Sequence, residues 1–236
     1  MDPRTTASIQ QLMADGESGL TELIETSDDE AVRAICLLER AQHRATCART
    51  LGHNVPLLEA VVSDYEAAIV AARNADHRLV CFEAMVNRPL VLQSLGRHSD
   101  VRVAASAALD FIRNGDAKEQ AARHHLLCMR GTAAYFSGDY AAAAADYQAA
   151  LELEPGTLGV ASDLGEALLE LEQYDDAIAA FDRAIAAGAA TELTFTGRGM
   201  ANERLANLSA ARSDYRHALE LDPDNPAARA GLSRLG

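Results

Sequence analysis

Apolar residues along this 236-residue chain fall mainly three and four apart, and long alternations of Val, Ile, Thr, Tyr and Phe are absent. That pattern predicts helices with essentially no sheet. In the C-terminal half it predicts helices at 118–136, 140–153, 158–171, 174–187, 191–205 and 208–221, then a short final helix at 227–235. Polar and turn-forming punctuation separates them: Ser137-Gly138-Asp139, Pro155-Gly156, the tract around Gly188, and Pro223. A proline ends a helix because its ring clashes with the preceding turn and removes a donor. Upstream the same reading gives helices at 29–51, 56–74, 77–96 and 99–114, with the extra length placed in 29–51 and 77–96. Residues 1–27 read as a polar lead and a short helix, with Ser27-Asp28-Asp29 as an N-cap for the next one.

The helices come in a fixed period. Gly131, Gly165 and Gly199 are 34 residues apart, and Tyr147, Phe181 and Tyr215 keep the same step. So do Ala143, Ala177 and Ala211, and Ala150, Ala184 and Ala218. Such a period signals stacked units, none of which can bury its apolar face alone. It predicts a surface for holding another molecule and does not by itself predict chemistry. Ser63 to Ile69 echoes Ala145 to Leu151 and Ser213 to Leu219, and Ala105 to Leu109 could fill the same column at longer intervals.

The columns Gly131…Gly138-Asp139-Tyr140…Ala143…Tyr147…Ala150-Leu151…Pro155, with their two successors, resemble the tetratricopeptide repeat. Ala134 and Ala189 depart from it, standing where an aromatic and a proline are usual. The resemblance implies an all-α fold, a right-handed α-solenoid of about five helical hairpins plus a C-terminal capping helix. Residues 1–115 would form degenerate helical repeats and 116–236 three regular ones, in one continuous solenoid.

Composition fits close helix packing, with 48 alanines and no tryptophan. The net charge is −14, with Lys118 the single lysine, which argues against nucleic-acid and membrane-surface partners. Between Gly131 and Gly197 there are 12 acidic residues and one basic residue, Arg183. A solvated outer face accounts for such charge, and attraction of a basic partner is the sharper reading. Cys36, Cys47, Cys81 and Cys128 lack CxxC spacing and read as free thiols of a reducing compartment. The first 18 residues carry no apolar core, and no apolar run approaches the length of a membrane span, so the expected compartment is the cytoplasm.

No catalytic constellation is visible, and neither a cofactor nor a metal site is expected. Cys36, His43 and Cys47 share one helix, where ordinary packing is the better reading. The resemblance instead implies a concave groove lined by one stripe of each first helix. Its residues would be Cys128, Thr132, Tyr135 and Phe136, then Ser162, Glu166, Leu169 and Glu170, then Thr196, Met200, Glu203 and Arg204. Glu166 and Glu170 stand four apart on that face, an arrangement that costs stability unless a cation answers it. Family members that grip a C-terminal carboxylate do so with Lys and Asn, and Cys128, Thr132, Ser162 and Glu166 occupy the corresponding positions.

The expected function is a non-catalytic scaffold or adaptor binding a peptide or helix with apolar and basic side chains. Two other readings stand beside it: a secretion or assembly chaperone for an apolar partner segment, and a ligand-sensing protein with its site on the N-terminal hairpins. A homodimer through the N-terminal helices is a further expectation, since the first unit shows no obvious polar cap.

Overall fold

A computed structural model describes residues 16–52, 54–112 and 116–236. The expected lead over residues 1–15 lies outside them. The chain divides into two compact units, 1–115 and 116–236. Among the described residues there are twelve helices and no strand.

The first unit holds α1 (Glu17–Thr26), α2 (Glu30–Thr50), α3 (Val55–Asn74), α4 (Arg78–Ser94) and α5 (His98–Phe111). Consecutive helices pack against one another, giving the hairpins α2/α3 and α4/α5 with α1 laid on α2. The Asp29 carboxylate caps α2, accepting from the amides of Ala31 and Val32 at 2.8 and 3.4 Å. The long helices are α2 and α3, of 21 and 20 residues, whereas α4 has 17. The extra length expected in 29–51 is carried by α2, and α4, at 17 residues, carries part of that expected in 77–96 before Gly96, at φ +69°, ends the helix in a tight turn. α3 is long as well, and Asn54 caps its start by accepting from the amide of Leu57.

The second unit contains α6 (Ala117–Phe136), α7 (Tyr140–Leu153), α8 (Val160–Glu170), α9 (Tyr174–Ala186), α10 (Glu192–Arg204), α11 (Leu208–Leu221) and α12 (Pro226–Leu235). The 34-residue columns have direct physical causes. Each repeat glycine faces the aromatic ring of its own hairpin: a Cβ at Gly131, Gly165 or Gly199 would lie 3.0, 2.7 or 2.9 Å from Tyr147, Phe181 or Tyr215. Gly197 and Gly231 meet the other sides of Phe181 and Tyr215, so these rings bridge successive hairpins between paired glycines. In the corresponding position beside Tyr147 stands Asp163. The turn after each first helix needs a left-handed residue, and Gly138, Glu172 and Ala206 supply it at φ +77°, +60° and +60°.

A second column escapes apolar patterning. Asp146 accepts from Nε and Nη2 of Arg130 at 2.8 and 2.7 Å, and Asp214 accepts from Arg198 in the same fork, both aspartates being buried. Asp64 of the first unit repeats the device, held by Arg40 and Arg44. The middle hairpin drops both partners at once, carrying Leu164 and Ala180 where its neighbours have Arg and Asp. A buried ion pair tolerates joint replacement by apolar groups and resists loss of one member, so the two positions change together.

No described helix is long and apolar enough to cross a membrane.

Candidate functional site

The first helices of the second unit, α6, α8, α10 and the terminal α12, pack in sequence on one side of the stack. Their shared stripe can be followed at 34-residue steps through Thr132, Glu166 and Met200 to Arg234. Thr132 donates to the carbonyl of Cys128 at 2.9 Å and accepts from the hydroxyl of Tyr147 at 3.1 Å. Cys128 lies 3.6 Å from Nε2 of His124, a buried histidine that also approaches the carbonyl of Ala150. Burial first, then the charge of Asp163, pushes this thiol up to about 11, so it stays protonated at neutral pH.

Tyr135 packs edge-on against Phe136 and Tyr140, with ring centroids 5.9 and 5.3 Å away. Phe136 itself is 65% exposed. Desolvation, followed by the charges of Glu166 and Glu170, raises the Tyr135 hydroxyl to about 12. The first repeat's aromatic group and the second repeat's acidic stripe are thus close enough to feel each other.

On α8, Asp163, Glu166 and Glu170 are spaced at 0, 3 and 7, which puts them along one face. Glu166 is half-buried and the other two are exposed. Among the described residues no cation pairs with any of the three. Desolvation, then Asp163 and Glu170, holds the Glu166 carboxyl above its ordinary value, and desolvation does the same for Asp163. The site therefore concentrates uncompensated negative charge in a partly dry place.

The other expected lining residues divide between surface and interior. Ser162 and Thr196 are buried, the first sharing a 2.8 Å hydrogen bond with Thr194 and the second donating to the carbonyl of Glu192. Leu169 packs on the cluster of Ala177, Phe181 and Ala201. Met200 is 37% exposed. Arg204 donates to the hydroxyl of Tyr174 at 3.1 Å and lies over its ring. Glu203 is already answered: Arg234 of α12 binds it through two 2.8 Å hydrogen bonds, and the Tyr215 hydroxyl donates to it at 2.6 Å. Those bonds hold its carboxyl down to about 2.

Sequence reasoning passed over Asp163 and Arg234. Continuing the 34-residue step beyond Met200 would have found Arg234, and the spacing of 3 from Glu166 would have found Asp163. The set Cys36, His43 and Cys47 does not converge: Cys36 is fully buried beside Leu20 and Val32, while His43 is exposed. Among the described residues no three metal-binding side chains come together.

Comparison with known proteins bears on the same residues. Tetratricopeptide-repeat models match residues 128–191 and 194–225. The Hsp70-Hsp90 organizing protein of Triticum aestivum is 28% identical over 104 residues, covering 44% of this chain. The aligned part spans only 18% of that relative's length. The crystal structure of YrrB, described as a TPR protein with an unusual peptide-binding site, is similar at TM-score 0.71 and 17% identity, over 91% of this chain and 97% of YrrB. The structure of MamA is similar at TM-score 0.64 and 16% identity, over 79% and 92% of the two chains. At these identities the two structures speak for the helical-repeat fold alone. With repeat models matched on the hairpins that the glycine and aromatic columns build, residues 128–191 and 194–225 of this chain are tetratricopeptide repeats.

Proposed function

We propose that the second unit is a non-catalytic adaptor surface that takes a peptide or helix bearing both basic and apolar side chains. The observation that carries this reading is the unpaired acidic stripe of α8 beside the Tyr135–Phe136 aromatic pair. Three carboxylates on one face, one of them half-buried, cost stability while empty and repay it when a cation arrives. The exposed ring of Phe136 and the thioether of Met200 would cover the apolar side chains of the same guest. The relative's name, an organizer of Hsp70 and Hsp90, supports a protein partner. An acid-ended tail is a poor fit, because Cys128, Thr132, Ser162 and Glu166 offer no cation at the positions that grip a carboxylate.

A peptide array tests the reading. Sequences captured by the full chain should be enriched in Arg or Lys next to Leu, Ile or Phe. Reversal of Glu166 and Glu170 to Lys should remove that class. Capture of acidic peptides by the unaltered chain would sink the proposal.

A further inference from the structure

A cleft of about 240 Å³ opens in the first unit between α2, α3 and α4. Every residue that lines it belongs to the first unit. Leu58 and Val91, both buried, form its apolar walls together with the half-exposed Leu90. Gln42, Thr46 and Arg49 line it from α2 at spacings of 0, 4 and 7, and Asn87 faces them from α4. The volume falls below the roughly 300–1,000 Å³ of clefts that hold drug-sized molecules, so the guest is small.

Two features distinguish this cleft from ordinary surface roughness. Tyr65 lines it while only 3% exposed, and its hydroxyl makes no hydrogen bond to any described residue. Tyr147 and Tyr215, the tyrosines of the echoing Asp-Tyr pairs, give theirs to Thr132 and Glu203. The ring is packed away while the hydroxyl, uncommitted within the protein, stays available as a donor at the cleft wall to a ligand that accepts its proton. The second feature is charge. Among the described residues no carboxylate lines the cleft, in a chain of net charge −14, and the one charged lining group is Arg49. Arg49 donates to the hydroxyl of Thr46 at 3.2 Å and makes no ion pair among the described residues. Neighbouring Arg40 and Arg44 are by contrast committed to Asp64 and Glu17. Glu39 and Glu83 carry charge nearby without lining the cleft.

We propose that this cleft binds the carboxylate of a small apolar acid, with Arg49 as its cation, Tyr65 as a hydrogen-bond donor and Leu58, Leu90 and Val91 around its apolar body. The carboxylate could belong to a free acid or to the last residue of a peptide, and the two share this chemistry.

The test is a titration of the isotope-labelled full chain, followed by amide chemical shifts, with isovalerate, isovaleramide and a blocked dipeptide ending in leucine. At least one of the two carboxylates should saturably shift the amides of Thr46, Arg49 and Asn87. Isovaleramide should bind at least about tenfold more weakly, the loss of a charge-assisted bond. Tyr65→Phe should weaken the carboxylate about tenfold while leaving the melting temperature unchanged or higher, because the hydroxyl it removes has no partner. Arg49→Gln, at an exposed position, should weaken it at least as much. A preference for the dipeptide would identify a chain end and a preference for isovalerate a free acid. Equal affinity for acid and amide would overturn the proposal. So would unchanged affinity in both variants, or no saturable shift from either carboxylate.

Discussion

The ion pair between Arg130 and Asp146 is a strong test of the packing argument, because the molecule contains its own replacement. Asp146 has a side chain only 10% exposed and Arg130 one 30% exposed, joined by two hydrogen bonds of 2.8 and 2.7 Å. Removing Arg130 strands a carboxylate in a dry site. Such losses cost about 3–5 kcal/mol when both partners are buried, and partial access of water at Arg130 puts this one near 2–3 kcal/mol. Removing Asp146 should cost less, about 1–2 kcal/mol, because a guanidinium already one-third exposed can turn to solvent. The double variant Arg130→Leu with Asp146→Ala copies Leu164 and Ala180 of the next hairpin. It should lie within about 1 kcal/mol of the unaltered chain, a coupling of at least 2 kcal/mol. Urea titrations of the four proteins, read by far-ultraviolet dichroism, give these differences directly. Costs that simply add, with the double variant weakest of all, would refute the reasoning.

Four further outcomes follow from the geometry. Glu172→Gly and Ala206→Gly should each stabilise the second unit by roughly 0.5–1 kcal/mol, since both residues hold a left-handed turn that Gly138 occupies without strain; equal or lower melting temperatures would contradict this. Tyr147→Phe should cost about 1 kcal/mol through the lost bond to Thr132, whereas Tyr65→Phe should cost nothing; equal losses in denaturant titrations would contradict the contrast. Glu166→Gln should stabilise at pH 7 by roughly 0.2–0.5 kcal/mol, because its folded carboxyl is raised and the charged form is disfavoured. That advantage should shrink as pH falls through the raised folded value, since the unaltered chain then binds a proton more readily folded than unfolded; a pH-independent difference would contradict it. Glu203, held down to about 2, behaves in the opposite sense. Its contribution is complete above the unfolded value near 4.5 and lost as pH falls toward 2, so Arg234→Gln should remove part of the chain's acid sensitivity, which melting curves between those limits would show.

Helix positions in the second unit were legible because each signal is local: Pro155, Pro223 and the Gly138 turn stop helices wherever the fold places them. The glycine columns were legible for a different reason, since a ring seated on a backbone leaves no room for any side chain. The Arg130–Asp146 and Arg198–Asp214 pairs were hidden because charged residues on a helix ordinarily read as solvated surface. Only the third dimension brings positions 16 apart together. The same limit hid the fate of Glu203, whose partner Arg234 lies 31 residues away on the capping helix. Ser162 and Thr196 fit the stripe by spacing, yet a hydroxyl small enough to turn inward can be absorbed by Thr194 or by the backbone. In the first unit no fixed period exists, so helix lengths are less legible there: the extra length expected in 29–51 is found, that in 77–96 is cut short at Gly96, and the length of α3 has no signal in the repeat columns.

The central claim is that the α8 carboxylates select the guest by charge. The most direct measurement is a charge exchange by fluorescence anisotropy at low salt. It compares the unaltered chain and the Glu166→Lys, Glu170→Lys variant, each against an Arg/Leu peptide and its Glu/Leu counterpart. The account predicts that preference inverts: the unaltered chain takes the basic peptide and the reversed chain the acidic one, with both preferences fading as salt screens them. Equal affinity of both proteins for the basic peptide would contradict it.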